Sequence, residues 1–320
     1  MNRIAIAMML NQLVMLLLGG VLGAIEPILE LVLGEGIALD AVIGICECAV
    51  YLFSFVLPMN IFNKMNKNAD REIYEPVEEA KMPSKIVFFA ACFTLGATIV
   101  ASYVNFFLVN IFWDYSRFTM DNLWSAELGT LQRMIVYFAY TAIIPAVAEE
   151  YFFRGTICKS LMVYGKKTAI LVSAVLFALM HANIEQIIYA FVAGVLLAWI
   201  YVETKNIAIP ILVHFLNNGI SAVGDMIGAD LGQAASDTYF LITDAIILIL
   251  SAISLVGIAL YAKKKGRLMD KLVLKPDENG MPVSPLSVED RVSGFFSTGI
   301  VLYTVYSFVI MVGLILLSLV

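Results

Sequence analysis

The chain has 320 residues, 61% of them hydrophobic and only 14% charged, with a formal net charge of −6. A soluble domain carries about one quarter charged residues, so this composition excludes a soluble globular protein. No basic stripe or basic-aromatic interleaving points to nucleic acid as a partner. Long apolar runs recur from end to end, each long enough to cross a hydrocarbon core of about 30 Å. The expected fold class is all-α: a polytopic transmembrane helical bundle of about eight to nine spans with the lipid bilayer as its surroundings.

The first apolar run, 4–25, follows Met1-Asn2-Arg3 and has no clear small-residue cleavage site before Glu26. It reads as a retained helix rather than a signal peptide. Asn11 and Gln12 within it read as interhelical hydrogen-bonding groups. The second run, 38–62, contains Cys46-Glu47-Cys48, which is not a CxxC and lacks a second pair for a zinc site. These cysteines, with Cys92 and Cys158, read as membrane-buried thiols. A polar segment follows at 63–85, with five basic and five acidic residues. The third run is 86–112. Trp113, Tyr115 and Trp124 in the next segment, 113–130, suit a membrane interface.

Four runs then follow closely, at 134–158, 168–183, 186–203 and 207–224. Asn183 with Gln186 reads as an N-cap and capping box opening the third of these. The eighth run, 239–262, contains Asp244, read as a structural or lipid-interface group. A polar segment at 263–292 opens with Lys263-Lys264-Lys265, and the last run is 294–320. No internal repeat is apparent. The expected division is an N-terminal helical region at 1–129, a core at 130–225 and C-terminal helices at 226–320.

With the N-terminus inside, 18 of the lysines and arginines fall on the cytoplasmic side and two, Arg117 and Arg133, outside. The positive-inside rule therefore predicts a cytoplasmic N-terminus.

Charged groups inside a bilayer are rare and mark sites. Here AVAEEYFFRG at 146–155 puts Glu149, Glu150 and Arg154 in an apolar run, and the two histidines, His181 and His214, fall in two later runs. Glu149 lies 17 residues before Lys166 and His181 lies 15 after it. At 1.5 Å per residue these are about 26 and 23 Å from the basic turn, so a helical hairpin brings them to similar depth. Glu150 and Arg154 are four apart and share a helix face, where they can pair. Glu149 is rotated by about 100° and stays free to face a partner. Phe177 sits one turn before His181, and His214 and Asn218 repeat that spacing, with Asn217 as a possible substitute. A free carboxylate beside an imidazole can hold and deprotonate water. A second imidazole with a carboxamide can donate to a developing oxyanion. The same groups, Glu149, His181 and His214, can instead ligate a divalent metal. A structural ion pair is as good a reading of Glu150 with Arg154 as a chemical role.

In order along the chain, EExxxR at 149–154, FxxxH at 177–181 and HxxxN at 214–218 resemble the CPBP family. That family comprises the type II CAAX prenyl endopeptidases, bacteriocin-processing enzymes and Abi-type membrane proteins. The resemblance covers about 130–225. It implies an intramembrane endopeptidase with a cavity open toward the cytoplasm. It further implies that Glu149 and His181 activate water, that His214 and Asn218 form the oxyanion hole, and that Glu150 and Arg154 support them; Phe177, by its spacing, can pack against the His181 ring and limit its rotamers. It favours a glutamate-type mechanism with no cofactor; a zinc-dependent version of the same protease and a non-catalytic scaffold or immunity protein of the same fold are the alternatives. The partner is a membrane-associated peptide or protein substrate, and the expected location is a prokaryotic plasma membrane.

Overall fold

The computed structural model describes residues 1–34, 36–66, 74–75, 82–112, 131–265, 273–274 and 297–317. The aromatic segment 113–130 and most of the polar segments 63–85 and 263–292 lie outside them. Among the described residues nine helices coincide with the nine apolar runs. They are α1 (Asn2–Leu33), α2 (Ile37–Asn66), α3 (Ser84–Phe112), α4 (131–161), α5 (Lys166–Met180), α6 (Ile187–Thr204), α7 (Ala208–Leu231), α8 (Gln233–Lys265) and α9 (Thr298–Leu317). A two-residue antiparallel pair, β1 (Tyr74–Glu75) with β2 (Val273–Leu274), joins the segments after α2 and α8. Helices α1, α2, α3, α6 and α8 are long and apolar enough to cross a membrane. Large apolar side chains such as Leu17, Phe107, Leu241 and Val309 are exposed along the bundle. A water-facing surface would not carry so much exposed apolar area, whereas lipid is its natural neighbour. The protein is an integral membrane protein.

Helix α1 packs on α2 and α9, α3 on α6 and α8, and α5 on α6. Two prolines shape these contacts. A proline offers no N–H to the carbonyl four residues earlier, and in a membrane a neighbouring helix can satisfy that carbonyl instead. Pro58 leaves the Ser54 carbonyl to the Asn11 amide of α1 at 3.0 Å. Pro145 leaves the Thr141 carbonyl to the Asn218 amide of α7 at 3.1 Å. Asn11 thus makes an interhelical bond, as its position in an apolar run suggested. Gln12 does the same, donating to the carbonyl of Met180 at 3.2 Å and of Leu179 at 3.5 Å.

Helix α4 is not uniform. Two π-helical stretches, Ala139–Ile143 and Tyr151–Cys158, flank the α-helical turn that carries the glutamates. Such stretches favour functional positions because they rotate side chains out of the ordinary register. The fifth run ends earlier than its apolar length suggested. Helix α5 stops at Met180, His181 stands at its C-cap, and a turn reaches to Gln186. Ala182 takes a left-handed backbone conformation, φ 45°, which ends the helix.

The capping box expected at Asn183 and Gln186 does not form. Asn183 instead accepts the Glu185 N–H at 2.8 Å, a local turn bond. The start of α6 is capped from another helix: Asn105 of α3 accepts the Ile188 N–H at 3.1 Å and donates to the carbonyls of Ile184 and Glu185. Gln12 and Asn105 together clamp the 181–186 turn from both sides.

Candidate active site

An aromatic relay leads from the apolar core to the polar site. Phe55 meets Phe152 edge-on at 5.6 Å, Phe152 meets Phe153 at 5.3 Å, and Phe153 meets Phe177 at 5.0 Å. Phe177 then touches three polar groups. Its ring lies 4.9 Å from that of His181 and 6.1 Å from that of His214, and the Arg154 guanidinium stacks over it at 4.5 Å. Phe177 is thus the spacer that fixes both imidazoles and receives the arginine as a cation–π partner.

Glu150 and Arg154 are fully buried and bonded at 2.8 Å. Arg154 also donates to the Gly194 carbonyl at 3.3 Å. Gly194 serves this contact by its size: a Cβ there would lie 3.0 Å from the Ala174 Cα, so only glycine lets α6 come so close to α5. The same Glu150 oxygen accepts from His214 Nδ1 at 2.8 Å. With Nδ1–H committed to the carboxylate, His214 directs Nε2 toward Glu149 Oε2, 4.0 Å away. That is too long for a hydrogen bond and suited to a bridging water about 2.8 Å from each. Glu149 is 3% exposed. Its Oε1 accepts from the Tyr51 hydroxyl of α2, and its Oε2 has no hydrogen-bond partner.

His181 bonds through Nδ1 to the Phe177 carbonyl at 2.8 Å. The carbonyl can only accept, so Nδ1 carries the proton and Nε2 bears the lone pair. No hydrogen bond or ion pair joins His181 to Glu149 among the described residues. The imidazole nearest Glu149 is that of His214 on α7. Both histidines, Glu149, Phe177 and Asn218 nevertheless line one cavity of about 780 Å³. Asn218 donates to the Thr141 carbonyl and accepts from Asn217 at 3.2 Å. Asn217 in turn accepts from Thr98 at 2.9 Å and donates to the Tyr189 hydroxyl.

The residues that sequence reasoning missed are Tyr51, Tyr189 and Thr98, each reaching the site from a different helix. A tyrosine amid an apolar run was the available signal, because its hydroxyl needs a partner in hydrocarbon. Asp244, read as structural without a named partner, accepts from Tyr103 at 2.8 Å, and Asp225 accepts from Tyr137 at 2.7 Å. Both acids line the same cavity. Among the described residues no group of three or more His, Cys, Asp and Glu side chains gathers as metal ligands.

A helical membrane bundle that buries a glutamate pair, an arginine and His214 beside one cavity, with half-buried His181 in the cavity wall, defines an integral membrane protein with an intramembrane polar site. Residues 131–220, which hold all three motifs, match the family model described as type II CAAX prenyl endopeptidase Rce1-like, which supports the resemblance to the CPBP family. It is similar to the membrane-embedded CAAX protease MroQ of Staphylococcus aureus (strain USA300), 29% identical over 113 residues, or 33% of this chain and 46% of that protein. It is also similar to YdiL of Bacillus subtilis (strain 168), provisionally named a membrane peptidase, 28% identical over 134 residues, or 41% of this chain and 50% of that one. The chain spans about half the length of these curated relatives. No solved structure matches it significantly.

Proposed function

We propose that the protein is an intramembrane endopeptidase that hydrolyses a peptide bond of a membrane-associated peptide or protein. The observation that carries this reading is the buried Glu149, with one oxygen held by Tyr51 and the other unpaired, 4.0 Å from His214 Nε2 in the cavity wall. Burying an unpaired carboxylate oxygen is costly, so it needs a ligand, and water is the smallest that fits. The bacterial relatives suggest a plasma membrane as the location.

In this mechanism Glu149 Oε2 accepts a proton from the water. The lone pair on His181 Nε2 accepts a hydrogen bond from its other hydrogen and orients it. The hydroxide oxygen attacks the scissile carbonyl carbon. The carbonyl oxygen becomes an oxyanion, which the Nε2–H of protonated His214 and an N–H of Asn218 receive. Glu150 on His214 Nδ1 compensates the positive charge on that ring. Collapse of the tetrahedral intermediate breaks the C–N bond, and Glu149 returns its proton to the leaving amine. The residues thus have graded roles. Glu149 and His181 handle the water, His214 and Asn218 the oxyanion, and Glu150, Arg154 and Phe177 hold them in place.

A purified protein and a quenched peptide library test this. Cleavage that requires Glu149 and His181 and survives EDTA supports it. Activity lost to EDTA and restored by zinc would favour the zinc-dependent version. Normal biological output from a Glu149→Gln protein would favour a non-catalytic scaffold.

A further inference from the structure

The cavity and the basic residues occupy opposite ends of the bundle. On α3 the lining runs over 94–106, on α4 over 137–149, on α6 from its start to Leu197, on α7 over 213–225 and on α8 over 240–247. None of 84–93, 150–161, 166–176, 198–204, 208–212 or 248–265 lines it. Those omitted stretches share one end of the molecule. There Arg3 of α1 donates to the Met65 carbonyl of α2 at 2.9 Å, and Lys166 of α5 pairs with Glu203 of α6 at 3.7 Å. Lys85, Lys159, Lys167, Lys205 and Lys263 belong to the same end by their places on the helices.

That end is also sealed. Phe152, Phe153, Ile157, Leu161, Ile170 and Val202 are buried there in one apolar cluster. At the other end the lining reaches exposed side chains, Tyr103, Phe106 and Gln186, beside the 181–186 turn. Arg133, in the first turn of α4, is the basic residue at that end among the described residues. The charge asymmetry decides which end faces the cytoplasm, since lysine and arginine are retained inside.

We propose that this cavity takes its substrate from the extracytoplasmic side of the membrane, through the rim formed by the 181–186 turn and α3. The occupant is a peptide segment of an exported or membrane-anchored chain. This rests on the endopeptidase reading for the word substrate, but not for the side. It opposes the cytoplasmic opening that the family resemblance implies; for this chain the apolar plug stands between the basic end and Glu149.

The test is the side of the rim. Single cysteines replace Gln186, at the rim, and Lys167, exposed at the basic end, in the full chain. Intact bacterial cells are treated with a bulky membrane-impermeant maleimide, and labelling above that of the unsubstituted protein is measured before and after permeabilisation. The expected result is labelling of Gln186→Cys in intact cells and of Lys167→Cys only after permeabilisation. The reverse pattern overturns the proposal. Where the cells also cleave a reporter peptide, labelling Gln186→Cys from outside is expected to lower cleavage at least severalfold, and unchanged cleavage would overturn the rim as the route. Outside labelling in a protein that cleaves nothing would keep the opening and sink the endopeptidase reading, so the two failures are separable. If removal of the four native cysteines unfolds the chain, the same labelling in the native-cysteine background gives the answer by difference.

Discussion

The two halves of this bundle are made from the same helices and solve opposite problems. At the basic end, α1, α4, α5 and α6 close on one another through Ile4, Phe153, Ile157, Ile170 and Val202, all buried and apolar. At the other end the same α4, α5 and α6 part around a cavity of about 780 Å³ whose wall includes Glu149, Glu185, Asp225 and Asp244. The border between the halves is the aromatic relay ending at Phe177 and the buried Glu150–Arg154 pair. The packed half gives the rigidity. In the open half several polar groups are tied to neighbouring helices, as Asn218 is to Thr141 and Asp225 to Tyr137. Rigid packing on one side is what allows unpaired chemistry on the other.

The sharpest way to break the comparison is at its border. Arg154→Ala removes one partner of a buried pair and is expected to cost about 3–5 kcal/mol of stability. Thermal unfolding in detergent measures it, and an unchanged midpoint would show that the pair is not what joins the halves. Next, Gly194→Val puts a branched side chain where a Cβ alone already meets the Ala174 backbone at 3.0 Å. Overpacking of this kind costs about 1–3 kcal/mol, and the same unfolding assay should show it. Smaller still is Asn11→Ala in the packed half. It leaves the Ser54 carbonyl unpaired and is expected to cost about 0.6 kcal/mol, the average for such bonds in membranes, without changing cleavage. A large loss of cleavage there would mean that the halves are not separable.

Two further comparisons sharpen the site rather than the scaffold. Tyr51→Phe frees Glu149 Oε1 while keeping the ring stacked near Phe55 at 5.1 Å. It should lower kcat by about tenfold, one ordinary hydrogen bond's worth, at unchanged KM. An unaltered kcat would assign Tyr51 to packing alone. The smallest expected effect concerns substrate charge. The cavity wall includes four carboxylates and, among the described residues, no lysine or arginine. A lysine near the scissile bond should be preferred to a glutamate by a fewfold, with the preference falling as salt rises.

The helices among the described residues were legible because long apolar runs in a bilayer fold as helices. The Glu150–Arg154 bond was legible because both ends lie on one helix at a fixed spacing. What depended on the rotation and tilt of one helix against another was not. Nothing in the sequence around Tyr51 says that it reaches Glu149, or that Asn105 rather than Asn183 caps α6. The helix arithmetic set His181 opposite Glu149, yet α5 ends before His181, and it is His214 that stands 4.0 Å from the carboxylate. The prolines carried more information than their positions suggested. Pro58 and Pro145 each release a carbonyl, but which asparagine takes it is a property of the packed bundle.

The most direct measurement compares wild-type protein with Glu149→Gln, both reconstituted in liposomes with a cleavable membrane-anchored peptide. Loss of the proposed general base is expected to slow cleavage by about 10²–10⁴-fold, with the same unfolding midpoint and with EDTA leaving the wild-type rate unchanged. Cleavage by Glu149→Gln at the wild-type rate would contradict the account.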